Sequence, residues 1–459
     1  MLQTSDGTPK RIAGQEPTRL AAAIHPLGTS LAVATDLKPA ASAQASVIRA
    51  WLIVGLLAVV ASLNYIDRVM LTTMRSSLIA AIPMTDAQFG LLTSVFLWVY
   101  AFISPLGGFL ADRVSRTGVI VGSLVLWSSV TWLTAHATTF PELLATRVLM
   151  GVGESCYLPA ALALISDYHR GPTRSLATGL HMVGISVGQG LGGLGGVLAE
   201  RHDWTYAFTL FGGIGLGYSL VLVLMLRDAP VSAETSALPR VKFGPAVASL
   251  FSTTPYRLAI VFWGLVATSG WAVLGWLPTL LGERFHLSQG TAGLSATSYL
   301  QPSTWLGLVI GGVLSDYMSR RHPRGRIYVT MCGLGLAAPS ILLGANIGIF
   351  WAAIAGFMLW SFGVAFVNAN MMPILCTITD ARYRATGYGI LNFFSCFIGG
   401  ITIYLGGVLR DARIPVTVIF NASVLILLLC AAVLYLIRPV PAAAPSAVPA
   451  VAPEVVPAA

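Results

Sequence analysis

The chain has 459 residues, of which 56% are hydrophobic and only 10% charged. A soluble domain carries about 25% charged residues, so this composition excludes a soluble protein and indicates a polytopic membrane protein. The net charge of +9 is a matter of topology: of 27 Lys and Arg, 20 fall in the N-terminal tail, the even-numbered loops and the C-terminal end. That bias places both termini in the cytoplasm and excludes nucleic-acid binding.

Residues 1–48 mix Pro, Thr, Ala and scattered charges without periodicity and read as a disordered cytoplasmic tail. No basic segment leads into a short apolar one, so a cleaved signal peptide is not expected. Twelve apolar stretches follow, each long enough to span as a helix. They lie near 50–72, 87–110, 117–137, 141–166, 175–199, 205–226, 257–281, 290–314, 326–345, 348–374, 384–408 and 414–437. The alternating ten-residue segments of a β-barrel are absent. The expected organisation is an N-terminal six-helix bundle (49–227), a cytoplasmic linker (228–256), a C-terminal six-helix bundle (257–438) and a Pro/Ala-rich cytoplasmic tail (439–459).

The first stretch contains Asp67 and Arg68, and the fourth contains Arg147 and Glu154. A charge at mid-membrane costs about 2.5–3.5 kcal/mol on insertion scales, so such residues face a protein interior or a water-filled cavity and mark transport or ion-coupling sites. Arg147 and Glu154 are two helical turns apart and share a face. They fit a transport site, or a buried ion pair that locks two helices. Asp67 and Arg68 are neighbours, so their side chains diverge by about 100° and are not expected to pair; Arg68 is expected to face the cavity.

Two motifs repeat between the halves. Gly107-Gly-Phe-Leu-Ala-Asp112, with Arg116 following, returns as Gly311-Gly-Val-Leu-Ser-Asp316 with Arg320 following, 204 residues on. Arg174-Ser-Leu-Ala-Thr-Gly179 returns as Arg382-Tyr-Arg-Ala-Thr-Gly387, 208 residues on. Two matches at nearly one offset indicate a duplicated six-helix unit, and in such transporters the site lies at the repeat interface.

The fifth stretch is rich in glycine, from Gly179 to Gly196, which suits close helix packing through small residues. It also carries His181 and Gln189. His181 is a candidate proton carrier or a histidine bonded within the bundle. The second half has almost no intramembrane charge; its polar candidates are Asn368, Asn370, Asn392, Trp271 and Trp276. The five cysteines show no metal-ligand spacing, and no GxxxxGK[ST] loop occurs. No metal, cofactor, ATP drive or enzymatic activity is expected.

Gly108-Phe-Leu-Ala-Asp112-Arg113-Val-Ser-Arg116 resembles the loop signature of the major facilitator superfamily, with Ser115 in place of its second glycine and Thr117 in place of a basic residue. The resemblance covers residues 50–438 and implies an all-α fold of twelve transmembrane helices in two six-helix pseudo-repeats. It also implies a conformational gate of Gly108, Asp112, Arg113, Arg116, Asp316 and Arg320. The helix-5 glycines partly resemble the superfamily's antiporter signature, with Gly193 where its proline stands.

Asn64-Tyr65-Ile66-Asp67-Arg68, Tyr100, and Arg147 followed by Gly151-Val-Gly-Glu154 resemble the anion:cation symporters, carriers of hexuronate, galactonate and sialic acid. Gly153-Glu154-Ser-Cys-Tyr157 equally resembles the spinster lipid transporters. Trp276-Leu-Pro278-Thr279 resembles a helix-7 segment of the anion symporters. These resemblances imply a proton-coupled symporter of a small organic anion such as a sugar acid, monomeric, in the cell's inner membrane. Arg68 and Arg147 would bind the anion, since an arginine fork grips carboxylate or phosphate bidentately. Tyr65, Tyr100, Gln189, Trp276, Asn368, Asn370 and Asn392 would complete the substrate site. Asp67, Glu154 and His181 would carry the proton, with H+ preferred over Na+ as the coupling ion. The alternatives are a spinster-like carrier of a lysolipid or other amphiphile and a non-transporting membrane sensor or scaffold.

Overall fold

A computed structural model describes residues 39–111, 114–169, 173–229, 243–379 and 383–438. The described residues are helical apart from short connections, because backbone in lipid must satisfy its own hydrogen bonds. In chain order the helices are α1 (Pro39–Thr73), α2 (Arg75–Ala81), α3 (Asp86–Ala111), α4 (Arg116–Thr134), α5 (Phe140–Ser155), α6 (Tyr157–Tyr168), α7 (Arg174–Leu191), α8 (Leu194–Arg201) and α9 (Trp204–Met225). The second series is α10 (Phe243–Ser252), α11 (Thr254–Phe285), α12 (Gln289–Ser298), α13 (Leu300–Arg321), α14 (Gly325–Asn346), α15 (Phe350–Ile378), α16 (Arg384–Asp411) and α17 (Val416–Leu436).

Among the described residues, eleven segments are long and apolar enough to cross a membrane, with α5–α6 and α7–α8 each forming one span. The eighth of the twelve expected spans is the pair α12–α13, broken at Tyr299. It falls outside the eleven because Gln289, Ser295, Thr297, Ser298, Gln301, Ser303 and Thr304 dilute its apolar residues. With it, the layout is two series of six. The linker expected as a loop contains α10, which packs against α11 and α16. Of the expected tails at 1–48 and 439–459, residues 1–38 and 439–459 lie outside the described residues, as does 230–242 of the linker, whereas 39–48 belong to α1.

The glycine-rich fifth span packs on α1. A Cβ at Gly188 would stand 2.3 Å from the Ser62 carbonyl oxygen, so only glycine permits that approach. Ser62 Oγ seals the seam by donating to the Gly184 carbonyl at 2.8 Å. The halves meet at α3 on α16 and at α7–α8 on α12–α13. At Gly407 a Cβ would lie 2.2 Å from the Asp86 carbonyl oxygen.

One end of the bundle, here the Arg75 end, is closed by polar contacts between the halves. Asp86 pairs with Arg75 and, at 3.0 Å, with Arg410, which also pairs with Glu283 at 2.6 Å. Gln289 Nε2 donates to Ser77 Oγ at 2.8 Å. At the opposite, Arg116 end, the described bonds tie each half to itself. Arg116 pairs with Asp167, Thr117 N–H donates to Asp228 at 2.8 Å, and Arg326 pairs with Asp316 at 2.8 Å. Of the expected gate, Asp112 and Arg113 lie outside the described residues, Gly108 sits within α3, and Arg320 is exposed.

Candidate substrate and coupling site

Helix geometry turns Asp67 and Arg68 to different sides of α1. Asp67, 2% exposed, accepts from Thr131 Oγ1 on α4 at 3.2 Å, and its other oxygen has no hydrogen-bond partner. Arg68 turns inward. Its Nε donates to Glu154 Oε2 on α5 at 2.6 Å. Three rings surround its guanidinium, with centroids at 4.4 Å (Tyr100), 4.9 Å (Tyr65) and 5.0 Å (Phe96). Each such contact contributes about 0.5–2 kcal/mol, more when water is excluded. Phe96 belongs to this cage although its lack of a polar group hid it in the sequence.

Glu154 is fully buried and its Oε1 has no hydrogen-bond partner. The partner of Glu154 is therefore Arg68, and the ion pair with Arg147 that their shared face allowed is not formed. Arg147 is 2% exposed, and its Nε and Nη2 have no hydrogen-bond partner. Its guanidinium lies 5.4 Å from the Phe208 ring, and its charge acts on both Asp67 and Glu154.

Between the halves lies a cavity of about 360 Å³. Tyr65, Gln189, Asn368 and Asn392 line it, as the sequence suggested, together with Gln301 and the tryptophans Trp263, Trp271 and Trp360. No charged side chain lines its wall among the described residues. A recess of about 20 Å³ continues from it at Tyr65, Trp271 and Leu274 and reaches Arg68 and Phe96. Among the described residues, the side-chain amides of Gln189, Asn368 and Asn392 make no hydrogen bond within the protein, and Gln301 donates its Nε2 to the Thr297 carbonyl at 3.4 Å while its Oε1 has no partner. The cavity thus presents side-chain amides and indoles on its wall, with the Arg68 guanidinium at the recess.

Other candidates lie elsewhere. Trp276 is fully buried, donates to the Ile403 carbonyl at 3.2 Å and packs against Phe89. Asn370 is fully buried and donates to the Phe366 carbonyl one turn back at 2.8 Å. His181 is also fully buried; its Nε2 bonds the Tyr157 hydroxyl at 2.9 Å, which donates to the Leu57 carbonyl at 2.7 Å. That chain ties α1, α6 and α7 together. Trp276, Asn370 and His181 are each absent from the cavity lining. Trp271, five residues before Trp276, lines both cavity and recess instead.

Twelve spans in two series, a cavity between the halves and a buried ion pair beside it define a multi-pass membrane transporter. The Major Facilitator Superfamily profile matches residues 57–403, and the chain belongs to that superfamily. It is similar to Protein spinster of Drosophila melanogaster, 26% identical over 378 residues that cover 79% of this chain and 62% of that protein. It is similar to the Probable sulfoacetate transporter SauU of Cupriavidus necator at 25% identity, over 74% of this chain and 83% of that one. Protein spinster homolog 1 of Xenopus tropicalis is 30% identical, over 76% and 70%. The fold matches that of a bacterial homologue of the human lysosomal transporter Spinster, solved inward-facing and unoccupied. That match has a TM-score of 0.71 and 22% identity and covers 85% of this chain and 97% of that one. The family and these relatives are transporters, not enzymes, and the sensor or scaffold reading gives way to transport.

Proposed function

We propose that this protein is a proton-coupled secondary transporter of an organic anion, working by alternating access. The observation that carries the reading is the Arg68–Glu154 pair at 2.6 Å, which places the one charge that lines the cavity and its recess among the described residues beside a buried acid. Buried charges must be compensated. In the empty site Glu154 neutralises Arg68. When an anionic group takes Arg68, Glu154 is left unpaired and accepts a proton. Arg68 then neutralises the substrate and Glu154 is neutral. Both states carry no net charge, whereas the anion without the proton leaves one charge uncompensated. Substrate and proton therefore move together.

Asp67 and Arg147 form a second acid–base couple behind the first, with Arg147 positioning the acids rather than touching substrate. Tyr65 and Tyr100 hold the Arg68 fork, and Gln189, Gln301, Asn368 and Asn392 meet polar groups further along the substrate. We assign His181 to the helix tie described above and leave it outside coupling. The Lys/Arg bias supports cytoplasmic termini, which makes the Arg75 end external and this conformation inward-facing. It also supports a place in the cell membrane.

The tryptophan-lined wall favours an anion with an apolar or stackable body. Sugar acids and lysolipids present such a combination, and a relative named a probable sulfoacetate transporter keeps short organosulfonates in the range. Uptake into proteoliposomes under an imposed pH gradient, over a panel of sugar acids, short sulfonates and lysolipids, tests the proposal. Accumulation of one class, lost when the gradient is collapsed, is expected. Accumulation indifferent to the pH gradient overturns proton coupling.

A further inference from the structure

At the Arg75 end each half reaches across and holds the start of a helix in the other. Asp411, the last residue of α16, accepts the N–H groups of Asp86 at 2.8 Å and Ala87 at 2.9 Å, the first two residues of α3. Glu200, in the last turn of α8, accepts the N–H of Gly290, the second residue of α12, at 2.8 Å. The first N–H groups of any helix lack partners within it and carry partial positive charge, so a carboxylate there is favourable.

Each of these helices also carries its own cap. Thr85 Oγ1 accepts from Gln88 N–H at 3.2 Å, and Gln88 Oε1 accepts in return from Thr85 N–H at 2.9 Å. Ser288 Oγ accepts from Thr291 N–H at 3.3 Å. In both helices the local hydroxyl serves the third N–H, and the acid from the opposite half serves the first or second. Thr85 and Ser288 stand 203 residues apart, within one residue of the 204 separating Asp112 from Asp316. The two arrangements are one device in duplicate, with the acids exchanged between halves.

We propose that Asp411 and Glu200 form a reciprocal latch that holds the Arg75 end shut and is released whenever that end opens. The local caps explain how the latch can release without unravelling α3 or α12. On opening, only the outermost N–H groups turn to water, while Thr85 and Ser288 keep the third N–H paired. The ion pairs of Arg75, Asp86, Arg410 and Glu283 add strength on one seam, α3 against α16. The acid caps alone serve both seams alike. The latch needs only the two halves of the fold and is independent of the substrate assignment.

The test is a distance measurement. Spin labels go on His136→Cys and Gly348→Cys, exposed positions at the Arg75 end on opposite halves, in protein whose five cysteines are replaced by serine. Double electron–electron resonance in lipid nanodiscs then reads the separation. Asp411→Asn or Glu200→Gln should each raise the long-distance population about two- to fivefold, as expected for losing one acid at a helix start. The double variant should show about the product. Ser288→Ala, which removes only a local cap, should leave the distribution unchanged. A double variant with the unsubstituted distribution overturns the latch, and so does a Ser288→Ala shift as large as that of Glu200→Gln. If the double variant does not purify as monodisperse protein, Glu200→Asp decides. It keeps the charge but withdraws it by one methylene, and no shift there also overturns the latch.

Discussion

Arg68 on α1 and Glu154 on α5 lie 86 positions apart in the chain and meet at 2.6 Å in the membrane interior. The pair joins the anion grip to the proton site, so a change to either residue is felt in both binding and coupling. It predicts different failures for different substitutions.

Arg68→Lys keeps the charge but loses the planar fork and its stacking against Tyr65, Phe96 and Tyr100. Transport should fall at least tenfold, roughly the effect of one lost cation–π contact in a dry site. The rise should be in KM, because the grip on substrate is what weakens. Initial-rate uptake in proteoliposomes checks this, and an unchanged KM would remove Arg68 from the binding site.

Glu154→Gln mimics a permanently protonated acid at nearly constant shape. Accumulation under a pH gradient should vanish while counterflow of labelled for unlabelled substrate persists. A purely structural pair predicts poor expression instead, since a buried arginine left alone costs about 3–5 kcal/mol. Asp67→Asn run in parallel separates the two acids: counterflow without accumulation in only one of them identifies the coupling site.

Trp271 and Trp276 share α11 but not a function. Trp271→Ala should raise KM several-fold and leave the melting temperature within a few degrees, because it removes cavity wall. Trp276→Ala should cost about 3–5 kcal/mol of stability, as large-to-small core changes do. Thermal unfolding in detergent, with and without substrate, distinguishes them.

Gly188→Val should prevent folding. The close approach to Ser62 leaves no room for a Cβ, and the collision is with backbone, which cannot rotate away. Fluorescence-detected size exclusion should show aggregated or absent protein, while the same change at Gly179, where a Cβ meets nothing within 4 Å, should be tolerated.

Reporter fusions at the two termini should both report a cytoplasmic location. An external C-terminus would mean that α12–α13 does not complete a span.

The spans were readable because apolar length is a local property, and the intramembrane charges stood out because each is costly in lipid. The divergence of Asp67 from Arg68 followed from 100° per residue. The choice of Arg68 over Arg147 as partner of Glu154 did not, since periodicity gives the face of one helix and not the neighbour that fills it. Trp276 was favoured over Trp271 on a local motif, and which of two tryptophans meets a cavity depends on α16, more than a hundred residues on. α10 was missed because a short helix that packs on others lacks the length that announces a span. The acids at 200 and 411 carry no local sequence signal, and only the crossing of the halves gives them their partners.

The polar character of α12–α13 bears on how the chain is made. A segment this rich in Ser, Thr and Gln partitions poorly into lipid by itself as it leaves the translocon. Its hydroxyls and amides find partners in helices synthesised before it: Thr297 and Ser298 donate to the Gly190 carbonyl, and Gln289 exchanges hydrogen bonds with Ser77. The first six spans therefore act as a template on which the eighth is retained, and the second half, made without the first, would leave that segment stranded outside the bilayer.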